Sequence, residues 1–240
     1  MITPRDFAKT PAPITPTEQR AINVYANLMV EIRDRVSAIQ ALFGEQIDLS
    51  NVVRFECAFL QTRMILETLA LACLVAHGDL KEMKSSGLRK AYQADIIVKK
   101  MDLLHPDFFP VPHIVTVDDG VQLSGRKTYH FEESSAASLT KADIISMYGK
   151  LGNRLHRGSL KALNRKSGDP EKDINDTFDF LERLMALLGN HHIMTMARKT
   201  VFVCSIPDPT VGDVRVLFAA VTSDRSGNNL GGLLIAEQSD

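Results

Sequence analysis

The sequence predicts a mainly α-helical fold: a bundle of about five helices with a small antiparallel β appendage formed by two hairpins. Three observations lead to this class. Five segments repeat apolar residues at steps of three and four, which is typical of amphipathic helices. Two separate regions combine strand-forming residues with turn signals. Apolar residues make up 45% of the 240 and charged residues 24%, a composition typical of globular domains.

Each predicted helix is bounded by a capping or stop signal. The five helices cover about 15–43, 50–77, 88–104, 140–163 and 171–197. Thr15 or Thr17 can cap the first helix, and Gly44 stops it. Thr140 can cap the fourth, where Asp143 stands at the position that completes a capping box.

Strand signals occur in two places. The first surrounds the turn Asp118-Asp119-Gly120, with strands predicted at 113–117 and 121–123 and a further strand at 127–131. The second has strands at 200–206 and 213–222, joined by a proline-rich loop. The sequence leaves open whether the two hairpins pair with each other.

The predicted organisation has three parts. Residues 1–15 are predicted to form an extended N-terminal arm, because the four prolines within 1–16 disfavour a helix there. Residues 16–197 form the helical bundle with a hairpin insertion at about 112–131. Residues 198–240 form a C-terminal hairpin and tail that pack on the same domain.

Charge and cysteine content exclude several function classes. The net charge of −1 is not that of a polycation, so any affinity for nucleic acid must come from a local surface. Three cysteines without CxxC spacing favour a reducing, cytoplasmic location. The apolar stretch 59–76 contains Arg63 and Glu67, which favours a core helix over a membrane span. We therefore expect no membrane association.

The sequence gives no sign of a cofactor or a metal. It contains none of the glycine-rich nucleotide-binding patterns, no GxSxG and no HExxH. His191 and His192 are adjacent, so on the predicted fifth helix they would point about 100° apart and could not share a metal ion.

The fourth predicted helix has a face of small residues around a histidine. By helical spacing Gly149, Gly152, His156 and Ser159 share this face. Glycine costs about 1 kcal/mol relative to alanine inside a helix, so the pattern suggests that something approaches closely. Either another helix packs there and His156 bonds within the contact, or the missing side chains open a groove beside His156. The first alternative predicts a symmetric homodimer.

A basic face lies beside these glycines. Lys150, Arg154, Arg157 and Lys161 repeat at i, i+4, i+7 and i+11, and the chain has no acidic residue between Asp143 and Asp169. Such a face is either solvated or binds phosphates.

Arg63 and Glu67 form a second polar feature, four residues apart in an apolar helix. They predict either an ion pair at the margin of the core or the lining of a polar cleft that orients His156.

Two stretches resemble the HEPN superfamily of bacterial and archaeal helical bundles: FLQTRMILETLALACLVAHGD at 59–79 and YGKLGNRLHRGSL at 148–160. The resemblance implies a bundle of four or five helices, dimerisation, and often metal-independent endoribonuclease activity in defence or toxin–antitoxin systems. It places His156 and an arginine at the ribose 2′-hydroxyl and phosphate, with Asn153 in the polar turn before the histidine. The family pattern is arginine, four to six residues, then histidine. The positions at that distance before His156 are Gly149, Lys150 and Leu151, and only Lys150 could stand in for the arginine.

Two function hypotheses follow. In the first the protein binds or cleaves RNA: His156 is the general acid and base, Lys150, Asn153 and Arg154 complete the catalytic group, and Arg157 and Lys161 bind phosphate. In the second it is a non-catalytic helical module that binds a second copy or another protein.

Overall fold

The mainly helical class is confirmed by the computed structural model, which describes residues 14–44, 47–77, 88–118, 128–134, 139–155, 169–195 and 200–220. Within these ranges the α-helices are α1 Pro16–Leu42, α2 Asn51–Ala76, α3 Ala94–Leu104, α4 Lys141–Leu155 and α5 Pro170–Leu188. A 3-10 turn, Leu88–Lys90, precedes α3. The strands are β1 Val111–Asp118, β2 Thr128–Glu133, β3 Asn190–Met194, β4 Thr200–Ser205 and β5 Arg215–Ala220.

The predicted capping residues start two of the helices. The Thr15 hydroxyl accepts a hydrogen bond from the Glu18 amide at 3.2 Å, and the Glu18 carboxylate accepts one from the Thr15 amide at 2.8 Å. Thr140 and Asp143 make the same reciprocal pair at 3.2 and 2.8 Å. Each box satisfies amides that a helix start leaves without partners. The predicted extension of α4 to Leu163 falls in 156–168, outside the described residues.

The prediction of one long fifth helix to Ala197 is wrong. The helix ends at Leu188, Gly189 follows as its C-cap, and the next five residues form β3. All five pair with β4, from Asn190 opposite Ser205 to Met194 opposite Val201. Because side chains alternate along a strand, His191 and His192 point to opposite faces of the sheet rather than about 100° apart.

The first hairpin also differs from its prediction. β1 pairs with β2 from His113 opposite Glu133 to Asp118 opposite Thr128. The partner of β1 is therefore the strand predicted at 127–131, and the tight Asp-Gly turn does not join the two strands. The predicted strand 121–123 and the turn lie in 119–127, outside the described residues.

One sheet contains both predicted β regions, in the order β2-β1-β3-β4-β5, all antiparallel. The link is short: Val111 pairs with His192 and Pro112 with His191. The two predicted hairpins therefore do not pair directly with each other, because β3, which was not predicted, lies between them. The β3–β4 pair also spans the predicted division at residues 197 and 198.

Helices and sheet share one apolar core. Tyr25 of α1 is fully buried, and its ring lies 5.5 Å from that of Phe202 on β4. α2 supplies the largest set of buried side chains, among them Ile65, Leu66 and Leu69. Of the described helices, α2 also has the length and composition of a membrane span, but 56% of its apolar 18-residue stretch is buried inside the fold. The core extends from the α1–α2 pair to the inner face of β3 and β4.

Candidate functional site

The predicted Arg63–Glu67 pair forms at the junction of α2 and α4, and Tyr148 joins it. Arg63 Nε lies 3.3 Å from a Glu67 carboxylate oxygen. Arg63 Nη2 donates to the Tyr148 hydroxyl at 2.6 Å, and that hydroxyl donates to Glu67 at 2.7 Å. The guanidinium carbon also lies 4.1 Å from the centre of the Tyr148 ring, at cation–π distance. The three side chains thus form a closed polar triad, in which each one contacts the other two.

The triad holds Tyr148 in its neutral form. Burial, and then the hydrogen bond to Glu67, raises the pKa of Tyr148 to about 12. A phenol with this pKa keeps its proton at neutral pH, so it is poorly matched to proton transfer there. Sequence periodicity placed Tyr148 on the apolar face of its helix, and that position is buried, but periodicity alone does not reveal the polar partners of its hydroxyl.

The two glycines of the predicted small-residue face have different surroundings. A Cβ atom built on Gly152 would lie 2.9 Å from Arg63 Nη1, whereas one built on Gly149 meets nothing within 4 Å. The close approach that the sequence predicted therefore occurs at Gly152, and the approaching group is an arginine of the same chain. Ser159 lies outside the described residues.

Two residues of the predicted basic face form ion pairs with α5. Arg154 contacts the Asp173 carboxylate, and Lys150 Nζ lies 3.9 Å from a carboxylate oxygen of Asp176. The cavity beside these pairs has a volume of about 20 Å³. Small-molecule pockets have volumes of roughly 300–1,000 Å³, so this junction is closed rather than an open cleft.

The partners of Lys150 and Arg154 come from another helix, so the local absence of acidic residues gave no sign of them. The available signal was in α5: Asp173 and Asp176 are three residues apart, which puts two carboxylates on one face of its first turns.

Of the four remaining predicted site residues, the structure describes one. Asn153 lies on α4 and is exposed. His156, Arg157 and Lys161 lie in 156–168, outside the described residues. The structure therefore places Lys150 and Arg154 beside carboxylates of α5, and it places Arg63 and Glu67 beside Tyr148, where α4 meets α2.

Sequence reasoning missed a group of buried histidines around β3. His191 and His192 on β3, His113 on β1, and His77 and His105 at the ends of α2 and α3 are all buried. Histidine next to apolar residues was the available signal, but only the three-dimensional fold brings residues 77, 105, 113 and 191–192 together.

Neither metal binding nor thiol chemistry has support in the described residues. These contain no group of three or more His, Cys, Asp or Glu side chains that could hold a metal ion. Burial raises the pKa of Cys73 and of Cys204 to about 12, and the reactive thiolate form is thereby suppressed.

Comparison with known proteins adds no relative. No family model, no curated protein and no solved structure matches this chain.

Proposed function

We propose that this chain is a non-catalytic helical interaction module that pairs with a second copy of itself through the N-terminal half of α2. The observation that carries the proposal is an exposed aliphatic face on that helix. Val52, Val53 and Leu60 lie on one side of α2 and are 64%, 40% and 46% exposed, and Leu49, which directly precedes the N-cap of the helix, is 38% exposed. Exposed apolar side chains that are contiguous rather than scattered are typical of an interaction surface.

The charges on this face fit an antiparallel pair. Ser50, the N-cap of α2, makes no side-chain capping bond, and the first turn contains no acidic residue. Glu56 is exposed in the middle of the aliphatic face. If two copies of α2 cross at Val53, each Glu56 lies opposite the other helix's N-terminus. A carboxylate there is favoured by the helix dipole and by the amides without helical partners.

The contacts of α4 with α2 and α5 support a non-catalytic role. Arg154 lies against a carboxylate of α5 and Lys150 lies 3.9 Å from another, while on the α2 side Arg63 lies against Glu67. A phosphate that bound Arg63 or Arg154 would have to displace those carboxylates. The described part of the predicted catalytic group is therefore better suited to joining helices.

The self-association proposal is tested by sedimentation velocity at micromolar concentration. The wild type should sediment as a dimer. Leu60→Asp should shift it towards the monomer, because the substitution places a charge from each copy in the apolar contact. Leu103→Asp is the matched control, since Leu103 is 86% exposed on α3, away from this face. A monomeric wild type, or a dimer that Leu60→Asp leaves intact, would contradict the proposal.

The second candidate function is RNA binding or cleavage in the defence or toxin–antitoxin setting that the HEPN resemblance implies. One observation favours it. The Arg63 guanidinium lies against Gly152, four residues before His156 in the sequence, so α2 offers an arginine in place of the one that is missing at the family spacing before His156. Arg63 would then bind phosphate together with Arg157 and Lys161.

Gel retardation and cleavage assays with RNA at low salt, in EDTA, test this candidate. Binding should weaken steeply as salt rises, and His156→Ala should abolish cleavage while binding persists. If the wild type neither retards nor cuts RNA, the RNA hypothesis is wrong. The sedimentation result is independent of that outcome.

A further inference from the structure

Five of the seven histidines in the chain are buried around a single strand, β3. Two of them lie on the strand itself. The His113 ring on β1 lies 5.7 Å from the His192 ring, measured between centroids. The other two reach the strand from helix ends. We call the five residues the β3 histidine cluster: His77, His105, His113, His191 and His192.

His191 connects β3 to α1 in a way that suits a neutral ring. Its Nδ1 lies 2.8 Å from the Leu188 carbonyl, which can only accept, so Nδ1 carries a proton. Nε2 then accepts the Tyr25 hydroxyl proton at 2.6 Å. A second proton on His191 would remove this acceptor and leave a cation in a fully buried site.

The titratable groups near His191 lie on both faces of the sheet. Tyr25 on α1 and Cys204, the cross-strand partner of His191 on β4, lie on the same face as His191, while His113 on β1 and His192 on β3 act on it from the opposite face. Acidic side chains are absent from this set. A protonated His191 would therefore gain no compensating negative charge from these neighbours.

His77 and His105 connect the other end of β3 to two helices. They are the C-caps of α2 and α3, and their Nε2 atoms lie 3.1 and 3.2 Å from the same carbonyl, that of Met194. His77 Nδ1 also lies 2.7 Å from the Cys73 carbonyl. A neutral ring has one N–H and can donate to only one of its two carbonyls.

Among the described residues, the groups around His77 supply no carboxylate either. The titratable group facing it from α3 is His105, at 5.2 Å between ring centroids, while α2 and β3 contribute the carbonyls of Cys73 and Met194. A protonated His77 would therefore be a buried cation without compensating charge from these neighbours, at the point where β3 meets α2 and α3.

We propose that the β3 histidine cluster is an acid-sensitive attachment, which releases the β-sheet from the helices at a pH where the α1–α2 pair stays folded. His77, His105 and His191 lie where the sheet meets the bundle, whereas α1 and α2 also pack against each other through aliphatic side chains such as Ile32 and Leu66. Protonation therefore weakens the attachment first.

The pKa values give the pH range. Burial lowers the pKa of His191 and of His113 to about 4, and it lowers that of His77. An unfolded histidine has a pKa of about 6.5. Since the pKa values are lower in the folded state, the stabilisation is present above about pH 6.5 and is lost as the pH falls towards 4. For His191, with a pKa of about 4, lowering the pH from 7 to 5 favours opening by about twentyfold.

Amide hydrogen exchange tests the proposal on the wild-type chain. Protection factors, corrected for the intrinsic exchange rate at each pH, are compared at pH 7 and pH 5. Amides of β3 and β4 should lose protection by about twentyfold or more. Amides in the middle of α2 serve as the internal control and should change far less. Unchanged protection in β3, or an equal loss in α2, would overturn the proposal.

A variant tests whether the histidines of the cluster cause the loss of protection. His191→Gln keeps a side chain that can bond to Tyr25 but does not titrate, so the loss of β3 protection between pH 7 and 5 should fall by about tenfold or more. If this variant does not fold, His77→Gln provides the second test, because its amide can donate to both the Cys73 and the Met194 carbonyl. A folded variant with the wild-type pH response would show that its histidine does not contribute.

Discussion

At the scale of single residues, the two glycines of α4 show how neighbouring positions can have opposite roles. Neither Gly149 nor Gly152 requires a backbone conformation that other residues avoid. Gly149 has open space around it, so its lack of a side chain only weakens the helix. Gly152 leaves room for the Arg63 guanidinium, which Tyr148 and Glu67 hold in place.

Alanine substitutions should separate these roles. Gly149→Ala should raise the free energy of unfolding by about 0.5–1 kcal/mol through helix propensity alone. Gly152→Ala should lower it by about 1 kcal/mol, because displacing Arg63 from charged hydrogen bonds outweighs the propensity gain. Urea unfolding followed by circular dichroism measures both, since the chain has no tryptophan. Equal stabilisation by both substitutions would show that Arg63 moves away without cost.

At the scale of elements, the junction of α4 and α5 depends on residues that no local pattern connects. Helix starts were predictable from the sequence, because the signals at Thr15 and Thr140 act over three residues. β3 was not predictable, because Leu187 to Met194 continues the apolar spacing of α5 and only pairing with β4 makes it a strand. The ion pairs of Lys150 and Arg154 were also missed, since their partners belong to the next helix.

A charge exchange tests the contact between Arg154 and Asp173. Arg154→Glu alone should destabilise the fold by repulsion, and adding Asp173→Lys should recover part of the loss. Recovery should be partial, because Asp173 also lies in the first turn of α5, where a cation is unfavourable. Both side chains are about 30% exposed, so the coupling in a double-mutant cycle should be about 0.2–1 kcal/mol. Zero coupling would mean that Arg154 is available to bind phosphate.

At the scale of the whole molecule, the sheet is part of the same core as the helices. Tyr25 of α1 lies between His191 of β3 and Phe202 of β4, with ring centroids 6.0 and 5.5 Å away. Arg33 of α1 donates to the Gly212 carbonyl in the connection between β4 and β5 at 3.1 Å. The bundle thus uses the sheet to cover one end of its core.

Truncation should show how strongly the bundle depends on that cover. A chain ending at residue 197 keeps every described helix but loses β4 and β5, which leaves β3 without its main partner and uncovers Tyr25. Removing one buried Phe side chain costs about 3–5 kcal/mol, so losing the whole hairpin with Phe202 should cost at least that much. The shortened chain should unfold at lower urea concentration and bind ANS. A chain ending at residue 220 keeps all described strands and separates this effect from that of 221–240. If the chain ending at 197 unfolds with the midpoint and slope of the one ending at 220, the helices form an independent core and the sheet only lies upon it.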